Sequence, residues 1–171
     1  MQNNLKIMLS VVLWLILSNR VSGQLPTTEK KAILLVSFGT SYPEARRALH
    51  SIEATVENAF PDAYVQWAYT SSIIRKKLSS EGIVIPSPDI ALAQLIDQGY
   101  TNIRVQSLHI IPGEEFQYLQ SIVKAFEAIP KRQVTLTLGH PLMYTQNDIA
   151  ETAKNMIKAS PSLQKDQVVL W

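Results

Sequence analysis

Cysteine is absent from all 171 residues. That excludes disulfides, iron–sulfur clusters, thiolate zinc sites and a cysteine nucleophile. Glycine is scarce, with six residues. None falls into G-x-G-x-x-G or G-x-x-x-x-G-K-[ST], so the usual nucleotide-binding loops are missing. Neither sign of charge dominates, since 16 Lys and Arg stand against 14 Asp and Glu. Binding to a phosphate backbone needs a basic excess, so nucleic acid is not an expected partner. Disorder is excluded as well, because 46% of the residues are hydrophobic and only 18% charged. The length suits one domain of ordinary size.

The first segment has the three parts of an export signal. Lys6 supplies a positive start, residues 7–17 are almost wholly apolar, and Val21-Ser22-Gly23 ends in small residues. The apolar run is well short of the about 20 residues that a spanning helix needs. Cleavage before Gln24 is therefore expected, with a periplasmic product and no stable membrane anchor. Removing residues 1–23 takes away Lys6 and Arg20 and no acid, which leaves 14 basic and 14 acidic residues.

The body of the chain alternates strand and helix signals. Ala32 to Phe38 is a continuous apolar run that reads as a strand buried on both faces. Further strands are expected over 64–68, 102–108 and 133–138, and a fifth begins at 167–171. Ser41-Tyr42-Pro43-Glu44 has the form of a capping box. A helix should follow to about Phe60, with Ala45, Ala48, Leu49, Ile52 and Val56 inward. A second helix is expected over 72–80 with Ile73, Ile74 and Leu78 inward. A third starts at Ser87-Pro88-Asp89 with Ile90, Leu92, Leu95 and Ile96 buried. A fourth covers 114–129, and Asn147 should cap a fifth that runs to about Ala159. This order predicts a doubly wound α/β fold with a parallel four-stranded sheet over 24–166.

Ligands of such sheets bind at the carboxyl ends of the strands. Two loops there carry chemistry. Ser37-Phe38-Gly39-Thr40-Ser41 offers small hydroxyls and free N–H groups at a helix start, suited to an anion. The same residues also read as an ordinary helix cap. His109, followed by Pro112-Gly113-Glu114-Glu115, joins an imidazole to two carboxylates. That set can hold a borderline divalent metal, or the imidazole can act as a base near neutral pH. It reads equally as a structural histidine followed by two acids at a helix N-terminus. His140 is a loop residue, and His50 a surface residue of the first helix.

Together these segments resemble the anaerobic sirohydrochlorin cobalt chelatases, the CbiK-type class II chelatases. Residues 32–42 resemble the opening of that family, and Ala68-Tyr69-Thr70-Ser71 with residues 73–78 its second segment. Residues 105–116 resemble its most recognisable stretch, and Leu138-Gly139, Pro141-Leu142 and Asn147-Asp148 continue the match. The resemblance implies two similar α/β halves with a tetrapyrrole in the cleft between them. It implies insertion of Co²⁺, with Fe²⁺ or Ni²⁺ as other substrate metals, without ATP. It implies Ser37, Phe38, Gly39, Thr40, Ser41 and Gly113 as substrate-binding residues, and His109, Glu114 and Glu115 as metal ligands. The family's principal catalytic histidine lies in a Gly-His-Gly turn that would fall beyond Trp171. The chain therefore resembles the N-terminal half of a chelatase, with 167–171 as the start of a second half. On that expectation it is a poor chelatase alone, and a homo-oligomer would cover its open face. Two other readings stay open: an exported, non-catalytic haem or tetrapyrrole carrier with His109 as axial ligand, and an unrelated flavodoxin-like binding domain.

Overall fold

A computed structural model of the chain describes residues 29–130 and 133–160. The four strands are β1 (Lys31–Ser37), β2 (Ala63–Tyr69), β3 (Asn102–Ser107) and β4 (Thr135–Gly139). Every pairing is parallel and the order across the sheet is β2-β1-β3-β4. Five helices connect or follow them: α1 (Pro43–Ala59), α2 (Ser72–Ser80), α3 (Pro88–Asp97), α4 (Glu114–Glu127) and α5 (Gln146–Ala159). This is the expected α/β fold, and a chelatase half-domain has this form. The residues expected as an export signal, 1–23, and as a fifth strand, 167–171, lie outside the described residues.

β1 is central, and burial decides its composition. Ala32, Leu34 and Val36 face one side and join the main core with Leu92 and Leu95 of α3 and Leu119, Ile122 and Val123 of α4. Ile33 and Leu35 alternate to the other side and are buried there too. The order of strands explains the two layers. The chain moves from β1 outward to β2, then back across β1 to β3 and on to β4. Right-handed crossovers then put α1 on one face and α3 and α4 on the other.

Some side chains turn differently from expectation. In α2, Leu78 is fully buried but Ile73 is 79% exposed. Five residues along a helix turn the chain by about 500°, so Ile73 and Leu78 sit on different faces. In α3, Pro88, Ala91, Leu92 and Leu95 form the buried face, and Ile90 is exposed. α1 carries the expected apolar stripe, yet none of its side chains is fully buried. Leu49 and Val56 are half-buried, while Ala45, Ala48 and Ile52 are exposed.

Two helix starts also differ. The Ser41 capping box does not form. Tyr42 is the N-cap, with φ −81° and ψ 124°, and Pro43 opens the helix. A residue before proline is pushed to extended backbone, so the helix cannot begin at Tyr42 with Ser41 as cap. Thr40 Oγ1 instead accepts from the Tyr42 N–H at 3.2 Å. In α5 the cap is Thr145, not Asn147. Its hydroxyl accepts from Asp148 N–H at 3.1 Å, and Asp148 Oδ2 accepts from Thr145 N–H at 2.8 Å.

Leu34 has no exposed surface and sits in the middle of the central strand. Leu34→Ala should therefore destabilise the domain by about 2–5 kcal/mol in a urea titration, as a truncated core leucine does.

Candidate active-site cleft

The carboxyl ends of β1, β2 and β3 are tied together by main-chain bonds. Thr70 N–H donates to Ser37 O at 2.9 Å, Ser71 N–H to Phe38 O at 3.2 Å, and Leu108 N–H to Val36 O at 2.7 Å. The chain must then leave β1 sharply to reach α1. Gly39 makes that turn with φ +95°. A Cβ there would run into the ring of Tyr69. Glycine is thus required twice at this position, for its backbone conformation and for the close approach.

Beside this turn lies an open cleft of about 550 Å³. Ser37, Phe38, Gly39 and Thr40 line it from β1, and His109, Gly113, Glu114 and Glu115 from the loop after β3 and the start of α4. Two segments about seventy residues apart in sequence therefore share one site, as their places at the sheet edge predict. Ser41 does not line the cleft. The walls include Leu49 of α1 together with Leu108, Ile110 and Ile111. Phe38, Ile110 and Ile111 are each at least half exposed. Apolar walls with a few polar groups suit a flat organic ligand. Phe38 was expected in the site, and Ile110 and Ile111 fall within the stretch 109–115 expected to line it, whereas Leu49 and Leu108 were not anticipated.

His109 is the most constrained polar group of the cleft. It is 9% exposed. Its Nδ1 lies 2.9 Å from Ser107 Oγ, and its backbone N–H donates to the same hydroxyl at 3.3 Å. When Nδ1–H donates to Ser107, Nε2 keeps a free lone pair. Nε2 is buried and has no hydrogen-bond partner among the described residues. Ser37 Oγ and Thr70 Oγ1 share that condition, at the ends of β1 and β2. Buried polar atoms are normally paired with protein, water or ligand, so these three at one sheet edge are available to a polar partner. Burial pushes the His109 pKa below its ordinary value, and the Glu115 carboxylate pulls it partly back up. A neutral imidazole is the form that binds metal.

Glu114 is exposed and Glu115 half-buried, both in the first turn of α4. Among the described residues no three acidic or histidine side chains converge as a closed metal site. His109 and the two carboxylates thus line one cleft without forming a rigid cage. Ser107, at 2% exposure, was not anticipated. Its spacing of two from His109 at a strand end is the signal that places both on one side. His140 stacks on Tyr144 with ring centroids 3.9 Å apart, and does not line the cleft. His50 is on the surface as expected, bonded to Glu53 Oε2 at 3.1 Å.

Comparison with known proteins bears on this geometry. The family model described as cobalt chelatase (CbiK) matches residues 31–171. The chain belongs to the cobalt chelatase (CbiK) family. Among its relatives is a sirohydrochlorin cobaltochelatase of Salmonella typhimurium, 37% identical over 144 residues, which are 83% of this chain and 53% of that protein. Another is the sirohydrochlorin cobaltochelatase CbiKC of Nitratidesulfovibrio vulgaris, 34% identical over 148 residues, 86% of this chain and 52% of that protein. The chain spans about half the length of the curated relatives it matches. The cleft lies inside the region that the cobalt chelatase model covers.

Two outcomes follow from the site. Gly39→Ala should cost about 2 kcal/mol or more, because left-handed backbone and a ring clash act together, and a thermal melt should show it. The second concerns acid. The native His109 pKa is below its unfolded value of about 6.5, so the unfolded chain takes up the proton first as pH falls. Stability is lost from about that pH downward. In His109→Gln the loss of melting temperature between about pH 7.5 and 5.5 should be smaller than in the parent.

Proposed function

We propose that this chain acts in the insertion of Co²⁺ into sirohydrochlorin, the reaction that its relatives are named for. The observation that carries the proposal is that Ser37 and His109, two lining residues of one apolar-walled cleft, each bury a polar atom, Oγ and Nε2, with no hydrogen-bond partner among the described residues. Insertion replaces two pyrrole N–H protons by one metal ion, so the site must hold the macrocycle, present the metal and accept protons. Phe38, Ile110 and Ile111 offer an apolar wall to the ring. Ser37, Thr40 and the backbone of Gly39 and Gly113 offer polar contacts to its substituents. His109 Nε2 presents the metal or takes a proton, and Glu114 and Glu115 supply negative charge that attracts the cation. Ser41 is left with a role in the turn only.

Co²⁺ is the substrate metal in this reading, and Fe²⁺ or Ni²⁺ suit the same nitrogen and oxygen donors. Export with cleavage before Gln24 belongs to the same proposal. So does a homo-oligomer that closes the open side of the cleft.

The test is an absorbance assay of Co²⁺ insertion into sirohydrochlorin with residues 24–171, beside the Salmonella relative. Insertion should run above the spontaneous rate and slower than with the relative, and His109→Gln should lower it at least tenfold, within the range of a lost acid–base group. Insertion that does not exceed the spontaneous rate would sink the proposal. A Soret band on adding haem, lost in His109→Gln and without any cobalt insertion, would assign the cleft to haem instead.

A further inference from the structure

β2 is an edge strand, and its outer edge is only partly capped. At one end Ala63 N–H donates to Phe60 O at 3.0 Å, and at the other Tyr69 N–H donates to Pro86 O at 3.0 Å. Both bonds point away from β1. Strand alternation turns the main-chain groups of Val65 and Trp67 to the same side. Neither residue's outward N–H or C=O takes a partner among the described residues. This gap opens into a groove of about 770 Å³ between β2, α2 and α3, far from the cleft residues and sharing none of them.

The groove is also chemically one-sided. Arg75 and Lys76 line it, and no acidic residue does. Arg75 Nε is buried without a hydrogen-bond partner among the described residues. It is a further donor without an acceptor. Ile90, which should have faced the core, is 47% exposed in the groove wall, and Val84 is 81% exposed there. The groove thus joins unpaired strand edge, donor excess, positive charge and apolar spots for alternating side chains.

We propose that the β2 edge is a docking groove for an extended acidic peptide segment of a partner protein, which adds as a fifth strand beside Val65 and Trp67 and places a carboxylate on Arg75 and Lys76. Main-chain bonds give such strand addition its affinity, and side-chain pockets give its specificity. The open stretch takes roughly four residues at about 3.3 Å each.

The proposal is tested by fluorescence anisotropy with a labelled octapeptide of alternating Glu and Val, added to residues 24–171. A Lys and Val octapeptide and a copy of the acidic peptide methylated on alternate backbone nitrogens serve as comparisons. The acidic peptide should bind at least tenfold tighter than either. The R75Q/K76Q variant should bind it at least tenfold more weakly, while its thermal melt stays that of the parent. Equal binding of the Lys peptide, or full binding by the variant, would overturn the charge argument. Full binding by the methylated peptide would show a small-carboxylate site rather than strand addition, and would overturn the proposal. So would a failure to bind at about 1 mM peptide. Self-association in sedimentation that is lost in R75Q/K76Q would give the edge to a second copy of the chain, and would also overturn it.

Discussion

Burial of β1 on both faces is the constraint on which the other elements depend. Ile33, Leu34, Leu35 and Val36 are each at most 5% exposed. Each such side chain contributes about 1.5–3 kcal/mol when it leaves water. That gain requires a layer on each side of the sheet. Right-handed crossovers to β2 and to β3, in opposite directions, supply the two layers. The same arrangement forces the carboxyl ends of three parallel strands onto one edge. The functional cleft is therefore a consequence of how the central strand is covered.

That edge is where the molecule departs from good packing. Ser37 Oγ, Thr70 Oγ1 and His109 Nε2 are buried with no hydrogen-bond partner among the described residues, and a buried group left so costs about 1–3 kcal/mol. Gly39 holds a backbone conformation that other residues avoid, against the ring of Tyr69. The burial of β1 is large enough to offset these costs. Polar groups left unpaired at the strand ends are free to bind whatever enters the cleft, without first breaking bonds inside the protein. Ser107 limits the cost at its own position, because its hydroxyl holds both Nδ1 and the backbone N–H of His109. The ring is thus fixed in orientation while Nε2 stays available.

Membership of the cobalt chelatase family and the geometry agree on which edge of the sheet matters. The family resemblance rested on the loops after β1, β2 and β3, and the structure gathers those loops at one place. The cleft has apolar walls that include Phe38, Ile110 and Ile111. His109 lines it from the loop after β3, and Glu114 and Glu115 from the start of α4.

Strand and helix order were legible in the sequence because period and punctuation are local. The apolar run Ala32 to Phe38 and the helix start at Ser87-Pro88-Asp89 each depend on nearby residues alone. A shared cleft for Ser37–Ser41 and His109–Glu115 was also expected, since strand ends of a parallel sheet lie along one edge, and all of these residues but Ser41 and Pro112 line it. Other features required the tertiary structure. Whether Ile73 and Ile90 face the core depends on which neighbour each helix packs against, and a single apolar residue carries no such information. The cap of α1 moved to Tyr42 because Pro43 restricts the residue before it, which outweighed the S-x-x-E pattern. The bond from Ser107 to His109 and the unpartnered state of Nε2 depend on the local path of the chain after β3. Sequence alone determined the elements, their order and the sheet edge at which the candidate cleft lies. Only the packed structure decided which side chains reach that edge, because orientation and burial are set by contacts between residues distant in the chain.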